Sequence, residues 1–432
     1  MKMNKKPIIV IIVSLLIIGT LGVVFTTDFN NSDIIDENKE PEDKDPNPLG
    51  NITSFNDAVN QFCFDFFKKL ADDENNSPNI FYSPYSVFTA LAMTYEGARN
   101  NTAVEMGNVL HIKQDNESFH EYMQSLYNHL NYNDEYNIST ANALWPDVGF
   151  TMLDKYVNII KTYYGGNASE VEYANPEEAA RVINEWVENQ TNNLIKDLVP
   201  PDAIDPILTK LILTNAIYFK GTWQIQFDKE NTTDREFTLS SGENVEVETM
   251  NLIDMDNKFN YTETDDLQIL ELPYDGGDIS MMILLPKDGV SLSDVTSSLD
   301  REEYISWVDE MYETKADIYL PKFKFETSYG LNEYLMDLGM IDAFNYDADF
   351  SGIDGTKMLF ISKVLHKAFV EVNEEGTEAA AATAVIINYK AINPNEPPER
   401  ITFDCDHPFL FTIHHKETGT ILFMGSVDNP SQ

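Results

Sequence analysis

Seven histidines and two cysteines are the side chains best suited to nucleophilic, acid–base or metal chemistry in this chain of 432 residues, and their spacing assigns chemistry to none of them. His414 and His415 are adjacent, in a run whose patterning reads as a surface hairpin, and no metal ligands are assigned to the pair. Cys63 and Cys405 are far apart and match no Cys-x-x-Cys spacing, which argues against a structural zinc site. One disulfide is open to an exported chain, but two buried free thiols are the expected state. No Gly-x-Ser-x-Gly elbow, His-Glu-x-x-His helix, phosphate-binding Gly/Lys/Ser loop or Gly-x-Gly-x-x-Gly turn occurs. Asp/Glu pairs recur throughout so acidic a chain and single out no position. The residue types therefore point away from an enzyme, and no cofactor is expected.

One segment stands apart. Residues 374–390 read EEGTEAAAATAVIINYK. A Gly-Thr pair leads into alanines, which favour helix, and then into Val-Ile-Ile, which favours strand. Lys390 is the only basic residue between Glu374 and Pro398. The stretch after it, AINPNEPPER, is Pro-rich and reads as an extended connection.

The elements around this segment are legible in outline. Hydrophobic residues make up 43% of the chain, enough for a large core. A net charge of −43 and the absence of any basic run argue against nucleic acid, heparin-like chains and anionic lipid surfaces as partners. Residues 1–6 carry Lys2, Lys5 and Lys6, and residues 7–25 are uncharged and apolar. This pattern predicts a cytoplasmic N-terminus and an exported remainder, held by a membrane anchor or led by a signal peptide. With no cleavage site evident after Phe25, the anchor is favoured. Residues 26–50 are rich in Asp, Glu, Asn and Pro and read as a disordered acidic linker. Sequons at Asn51, Asn137, Asn167 and Asn231 are compatible with an extracellular glycoprotein.

Residues 51–432 show no second linker and no repeat. Phe55, Val59, Phe62 and Phe66 fall at helical spacing. SPYSVFTALAMTYEGARNNTAVEMGNVL reads as helix, turn and helix, and PEEAARVINEWVENQTNNLIKDLV as a further amphipathic helix. TKLILTNAIYFKGTW is too continuously apolar for a one-sided strand and predicts a buried one. LQILELPYDGGDISMMILLPKDG predicts two strands about an Asp-Gly-Gly turn. KADIYLPKFKFETSYGLNEYLMDLGM predicts a strand followed by a helix, and the chain closes in strands. Early helices and late strands make the class α+β.

Five stretches, NIFYSPYSVFTALAMTYEGA, LTNAIYFKGTW, LPKFKFETSYGLNEYLMDLGMIDAF, ISKVLHKAFVEVNEEGTEAAAATA and DHPFLFTIHHKETGTILFMGSV, resemble the serpin family in its order. The resemblance runs from residue 52 to residue 430. It implies three β-sheets, eight or nine helices and an exposed reactive loop. In inhibitory members the loop is cut by a serine protease and inserts into the main sheet with the acylated protease attached.

That resemblance assigns the hinge to Gly376, Thr377, Glu378, Ala379, Ala380, Ala381, Ala382 and Thr383. As a strand, the segment would place Thr377, Ala379, Ala381, Thr383 and Val385 on one face and Glu378 on the other. The first face is small at its start, as entry into a covered sheet requires. The family spacing puts the reactive bond at Lys390–Ala391, fourteen positions after Gly376. Lysine there suits a trypsin-like protease, which would be held as a covalent complex; a shift of one residue would offer Tyr389 to a chymotrypsin-like enzyme. Ser83, Ser86, Asn215 and His366 match the family's shutter, a polar cluster beneath the centre of the sheet. Trp223 matches the breach, where the loop first enters. A monomer is expected, acting without a heparin-like cofactor. The other readings are a non-inhibitory serpin serving as a binding or carrier module, and an inhibitor of cysteine proteases.

Overall fold

The first helix buries the stripe its spacing predicts. In a computed structural model, which describes residues 53–73, 76–112, 116–131, 136–253, 256–377 and 400–432, α1 (Thr53–Asp72) turns Val59, Phe62 and Phe66 fully inward. α2 (Pro84–Tyr95) starts at a defined cap. Ser83 Oγ accepts the Ser86 N–H at 3.1 Å, and Pro84 occupies the first turn, where no amide hydrogen is required. Its residues from Pro84 to Thr94 are all buried, so α2 is a core helix. α3 (Asn100–Val109), α4 (Asn116–Asn131), α5 (Asp154–Tyr164) and α6 (Pro176–Gln190) follow. Between these helices lie β1 (Ile80–Tyr82), β2 (Asn137–Pro146) and β3 (Asn167–Ala168).

Strands dominate after Leu211. They are β4 (Leu211–Thr222), β5 (Thr233–Thr238), β6 (Asn244–Leu252), β7 (Lys258–Glu263), β8 (Leu267–Pro273), β9 (Ile279–Pro286), β10 (Tyr312–Pro321), β11 (Phe323–Gly330) and β12 (Lys363–Asn373). The series ends with β13 (Gly376–Thr377), β14 (Arg400–Asp404), β15 (Phe409–His415) and β16 (Thr420–Val427). Four shorter helices interrupt it: α7 (Leu292–Ser298), α8 (Arg301–Asp309), α9 (Asn332–Asp337) and α10 (Ser351–Asp354). The expected α+β class is thus met, with ten α-helices among the described residues. β4 is buried at all but two of its positions, as its continuous apolar run requires. β8 and β9 turn about Gly276 and Gly277, both at positive φ.

Two hydrogen-bonded ladders result. The sheet that positions the candidate site has the order β11-β12-β13-β4-β2-β3. The other runs β1-β16-β15-β9-β8-β7-β10-β6-β5, with β14 on β10. Two of the three sheets implied by the resemblance are therefore joined. β10 is the join: Tyr312–Lys315 pair with β7, whereas Ile318–Pro321 pair with β6. The stretch read as one strand before α9 is two strands. The chain breaks at Lys322 between Pro321 and Phe323, and the halves enter different sheets. Cys63 and Cys405 are both buried and free, as expected. Residues 1–50, to which the basic flank, anchor or signal and acidic linker were assigned, lie outside the described residues. Among the described residues no helix is long and apolar enough to cross a membrane.

Candidate functional site

The site begins as a gap between two parallel strands. β12 and β4 are direct neighbours from Lys363↔Ile212 to Ala368↔Ile217. Beyond Ala368 they part, and the two residues of β13 stand between them, antiparallel to both. Gly376 faces Thr222 and Asn373, and Thr377 faces Gly221 and Val372. Gly376 and Thr377, the first two residues assigned to the hinge, therefore sit in the sheet between β12 and β4.

Glycine is required on both sides of this entry. A Cβ on Gly376, whose φ is +154°, would lie 2.0 Å from the Gly221 carbonyl oxygen and 2.8 Å from Thr222 Cα. A Cβ on Gly221 would meet Phe219 at 2.6 Å and Tyr274 at 2.8 Å. Two side chains are absent where two backbones and an aromatic pair converge.

Trp223, which the resemblance assigns to the breach, packs beside β13. Its Nε1–H donates to the Asn373 carbonyl at 2.9 Å, and its backbone N–H donates to the Glu375 carbonyl at 2.9 Å. The indole stacks on Tyr274 with centroids 4.5 Å apart and planes at 13°. Tyr274 OH in turn lies 2.6 Å from Thr377 Oγ1, and Thr377 is only 2% exposed. Beside this apolar pair is an open polar cleft of about 490 Å³ lined by Lys229, Lys322, Glu248, Glu371, Glu374 and Glu375, among others. Lys229 Nζ donates to Glu375 Oε1 at 2.6 Å, and Thr232 Oγ1 donates to Glu374 Oε1 at 2.8 Å. Burial pushes the Glu374 carboxyl up. Its own backbone amide, Thr232 and Lys322 outweigh that and hold it below the usual carboxylate range.

The four residues assigned to the shutter also converge. Ser83, Ser86, Asn215 and His366 are each fully buried. Ser83 Oγ donates to the Leu422 carbonyl at 2.6 Å while accepting the Ser86 amide. Ser83 N–H donates to His366 Nε2 at 3.2 Å, which leaves the ring hydrogen on Nδ1 to donate to Asn215 Oδ1. Asn215 Nδ2 reaches Ser86 Oγ at 2.6 Å and Asn142 Oδ1 at 2.5 Å, and Ser86 Oγ donates to Asn142 at 2.9 Å. Burial pulls the His366 pKa down to about 3, against a smaller upward push from its bond to Asn215, so the imidazole is neutral. His366 and Asn215 are register partners across β12 and β4. Their bond clamps the strands just below the entry.

Of the hinge residues, Gly376 and Thr377 are placed. Glu378, Ala379, Ala380, Ala381, Ala382 and Thr383 lie outside the described residues, as do Tyr389, Lys390 and Ala391. Asn142, Tyr274 and Glu374 belong to the site and were missed in the sequence. An asparagine inside the apolar run of β2 was a usable signal for Asn142, because a buried amide needs partners. Tyr274 carried no comparable signal.

β4 and β12 thus part beyond a buried cluster of neutral polar groups, and β13 occupies the space between them. The family model described as Serpin (serine protease inhibitor) matches residues 57–430. The chain belongs to the serpin family. An uncharacterized serpin-like protein of Thermococcus kodakarensis is 44% identical over 378 residues, covering 86% of this chain and 85% of its own. Human Serpin B4 is 40% identical over 400 residues, with 88% and 100% covered. The crystal structure of Serpin48, described as a highly specific serpin of the insect Tenebrio molitor, aligns with a TM-score of 0.78 at 34% identity. That alignment covers 87% of this chain and 98% of Serpin48. Serpins are protease inhibitors rather than catalysts.

Proposed function

We propose that this serpin is a suicide inhibitor of a trypsin-like serine protease. The protease serine oxygen attacks the Lys390 carbonyl, the Lys390–Ala391 bond breaks, and the Ala391 amine leaves with the proton supplied by the protease's acid. Lys390 remains as an ester on the protease. Freed of its downstream tether, the hinge continues into the sheet and draws the acylated protease along before water cleaves the ester.

The observation that carries this reading is the register of β13. Extending it residue by residue sets Ala379 between Val370 and Phe219, Ala381 between Ala368 and Ile217, and Thr383 between His366 and Asn215. The face that contains Thr377 is the buried one, because Thr377 pairs with Val372 on the inward side of β12. Small side chains therefore meet the core face, while Glu378 would fall on the outward side beside Glu371 and Lys220. Insertion would also part His366 from Asn215, so the shutter must open for the strand to pass.

Mixing the protein with trypsin tests the reading. A covalent complex that survives SDS is expected, with a released C-terminal peptide beginning at Ala391. Cleavage without any trapped complex would overturn it. A peptide beginning at Lys390 would move the bait to Tyr389. Residues 1–50, with their basic flank, apolar run and acidic spacer, would hold this inhibitor at the outer cell surface. Retention of the protein in washed membranes under high salt is the expected result, and a soluble mature form starting after residue 25 would replace the anchor with a signal peptide.

A further inference from the structure

Far along the second sheet, three elements bring nitrogen and oxygen donors together. His129 is in the last turn of α4, His415 is the final residue of β15, and Glu417 is in the turn to β16. One donor atom from each lies within 4.8 Å of the others. The two rings meet edge to face with centroids 4.6 Å apart.

Two ring nitrogens of this group make no hydrogen bond. The Nε2 atoms of His129 and His415 are both buried and neither makes a hydrogen bond. His415 itself is fully buried. Burying an imidazole nitrogen without a hydrogen bond costs free energy, and two such nitrogens in one cluster need a reason. The rest of the His415 ring is anchored. Nδ1 accepts the Thr418 backbone N–H at 3.4 Å and lies 2.9 Å from Thr418 Oγ1. With Nδ1 accepting, the neutral ring carries its hydrogen on Nε2, and metal binding there would move that hydrogen to Nδ1, where Thr418 Oγ1 can accept it. A hydroxyl or carbonyl that fixes the far nitrogen is the usual support for a metal-binding histidine. Asp278, in the β8–β9 turn, places Oδ2 3.8 Å from His129 Nε2.

We propose that His129, His415 and Glu417 bind a divalent transition-metal ion of the zinc type. Two imidazoles and a carboxylate suit zinc, cobalt, nickel or copper, whereas magnesium and calcium prefer oxygen alone. A tetrahedral ion with bonds near 2.1 Å spaces its donors about 3.4 Å apart, so the three groups need to close by at most about 1.4 Å. Asp278 or water would complete the shell. The open side faces solvent, since His129 and Asp278 side chains are 36% and 42% exposed, so an ion can enter. The adjacent histidine pair read from the sequence is not the site. His414 turns instead to Glu271, at 3.6 Å, and the second ring comes from α4. The ion would tie the end of that helix to the β15–β16 turn.

The full chain, stripped with EDTA, is titrated with Zn²⁺ by calorimetry and with Co²⁺ by visible absorption. One tight Zn²⁺ per chain is expected, with a Co²⁺ spectrum of tetrahedral nitrogen–oxygen type and a melting temperature raised by about 3–6 °C at a hundredfold excess over the dissociation constant. His415→Gln and, at the more exposed position, His129→Gln should each weaken binding by about tenfold or more. His111→Gln, a distant histidine paired with Asp65, should change nothing. Equal Zn²⁺ affinity in wild type and both ligand variants would overturn the site, as would ready displacement by Mg²⁺, which marks binding to the acidic surface. Absence of binding would overturn it outright.

Discussion

Thr377→Arg should convert this serpin from inhibitor to substrate, and its magnitude can be worked from the entry geometry. Thr377 is buried at 2% exposure, with its hydroxyl 2.6 Å from Tyr274 OH and the Trp223 ring stacked behind. The nearby carboxylates of Glu374 and Glu375 are already engaged by Thr232, Lys322 and Lys229. A guanidinium forced into this position would be a buried charge with no partner, at a cost of about 3–5 kcal/mol. If the transition state for insertion carries about 3 kcal/mol of that, insertion slows roughly a hundredfold, since each 1.36 kcal/mol is about a factor of ten. Hydrolysis of the acyl bond is chemistry within the protease and keeps its rate. A partition of about 10:1 in favour of trapping would become about 1:10. Thr377→Val separates charge from the lost hydroxyl. It leaves Tyr274 OH short of one bond, about 1–3 kcal/mol, and should reduce trapping far less. The assay is the stoichiometry of trypsin inhibition together with the yield of SDS-stable complex on gels. Wild-type stoichiometry for Thr377→Arg would refute the reasoning, because the hinge would then not pass through the position it occupies here.

Three further perturbations probe the same sheet. Gly376→Ala puts a methyl 2.0 Å from the Gly221 carbonyl and should expel the hinge; protease digestion at 374–378 should become faster than in wild type, and unchanged digestion would count against a seated hinge. Asn142→Ala strands the Ser86 hydroxyl and Asn215 amide in the core and should lower stability by about 2–4 kcal/mol in urea titrations, whereas a loss below about 0.5 kcal/mol would mean the cluster does not hold the strands. The folded-state pKa of His366, about 3, lies below the ordinary 6.5, so folding favours the neutral ring. Its contribution is present above about pH 6.5 and is lost as pH falls towards 3, so the melting temperature should drop over that window and His366→Gln should flatten the drop; an identical slope in the variant would refute the assignment.

The sequence made the strands of the site legible and left their partners obscure, for a physical reason. β4 announces itself because burial on both faces demands an unbroken apolar run, and the alanines after Gly376 stand out because the strand entry we propose requires narrow side chains. These are constraints on one segment at a time. The bond from Trp223 to Asn373 spans 150 residues and that from Asn215 to His366 spans 151, and no local pattern encodes them. Asn142 and Tyr274 are ordinary residues until β2 and the β8–β9 turn are brought beside β4. The break at Lys322 was equally hidden. A single charged residue between two apolar runs looks like the outward side of one strand, and only the divergence of the two sheets shows it to be a crossing.

The same ladder bears on where the bait must lie, independently of family spacing. β13 enters against Thr222 and Asn373, and the strands it separates begin at Leu211 and Lys363. In the observed register Ile386 would reach Ile212 and Lys363, so the sheet is filled once residues 376–386 have entered. At about 3.3 Å per residue this carries the end of the loop some 33 Å from the breach. A bond cut before Ile386 would leave the ladder part-filled, with the protease still over the sheet and the His366–Asn215 clamp in the path of its own acylated residue. A bond cut beyond it lets insertion finish while the ester remains outside, attached through a few extended residues. Lys390 meets that condition and is the first basic residue to do so; Tyr389 meets it as well. On the proposed insertion, sheet length therefore argues against the alanine run as bait, and side-chain chemistry, read out in the first residue of the released peptide, chooses among the positions beyond Ile386.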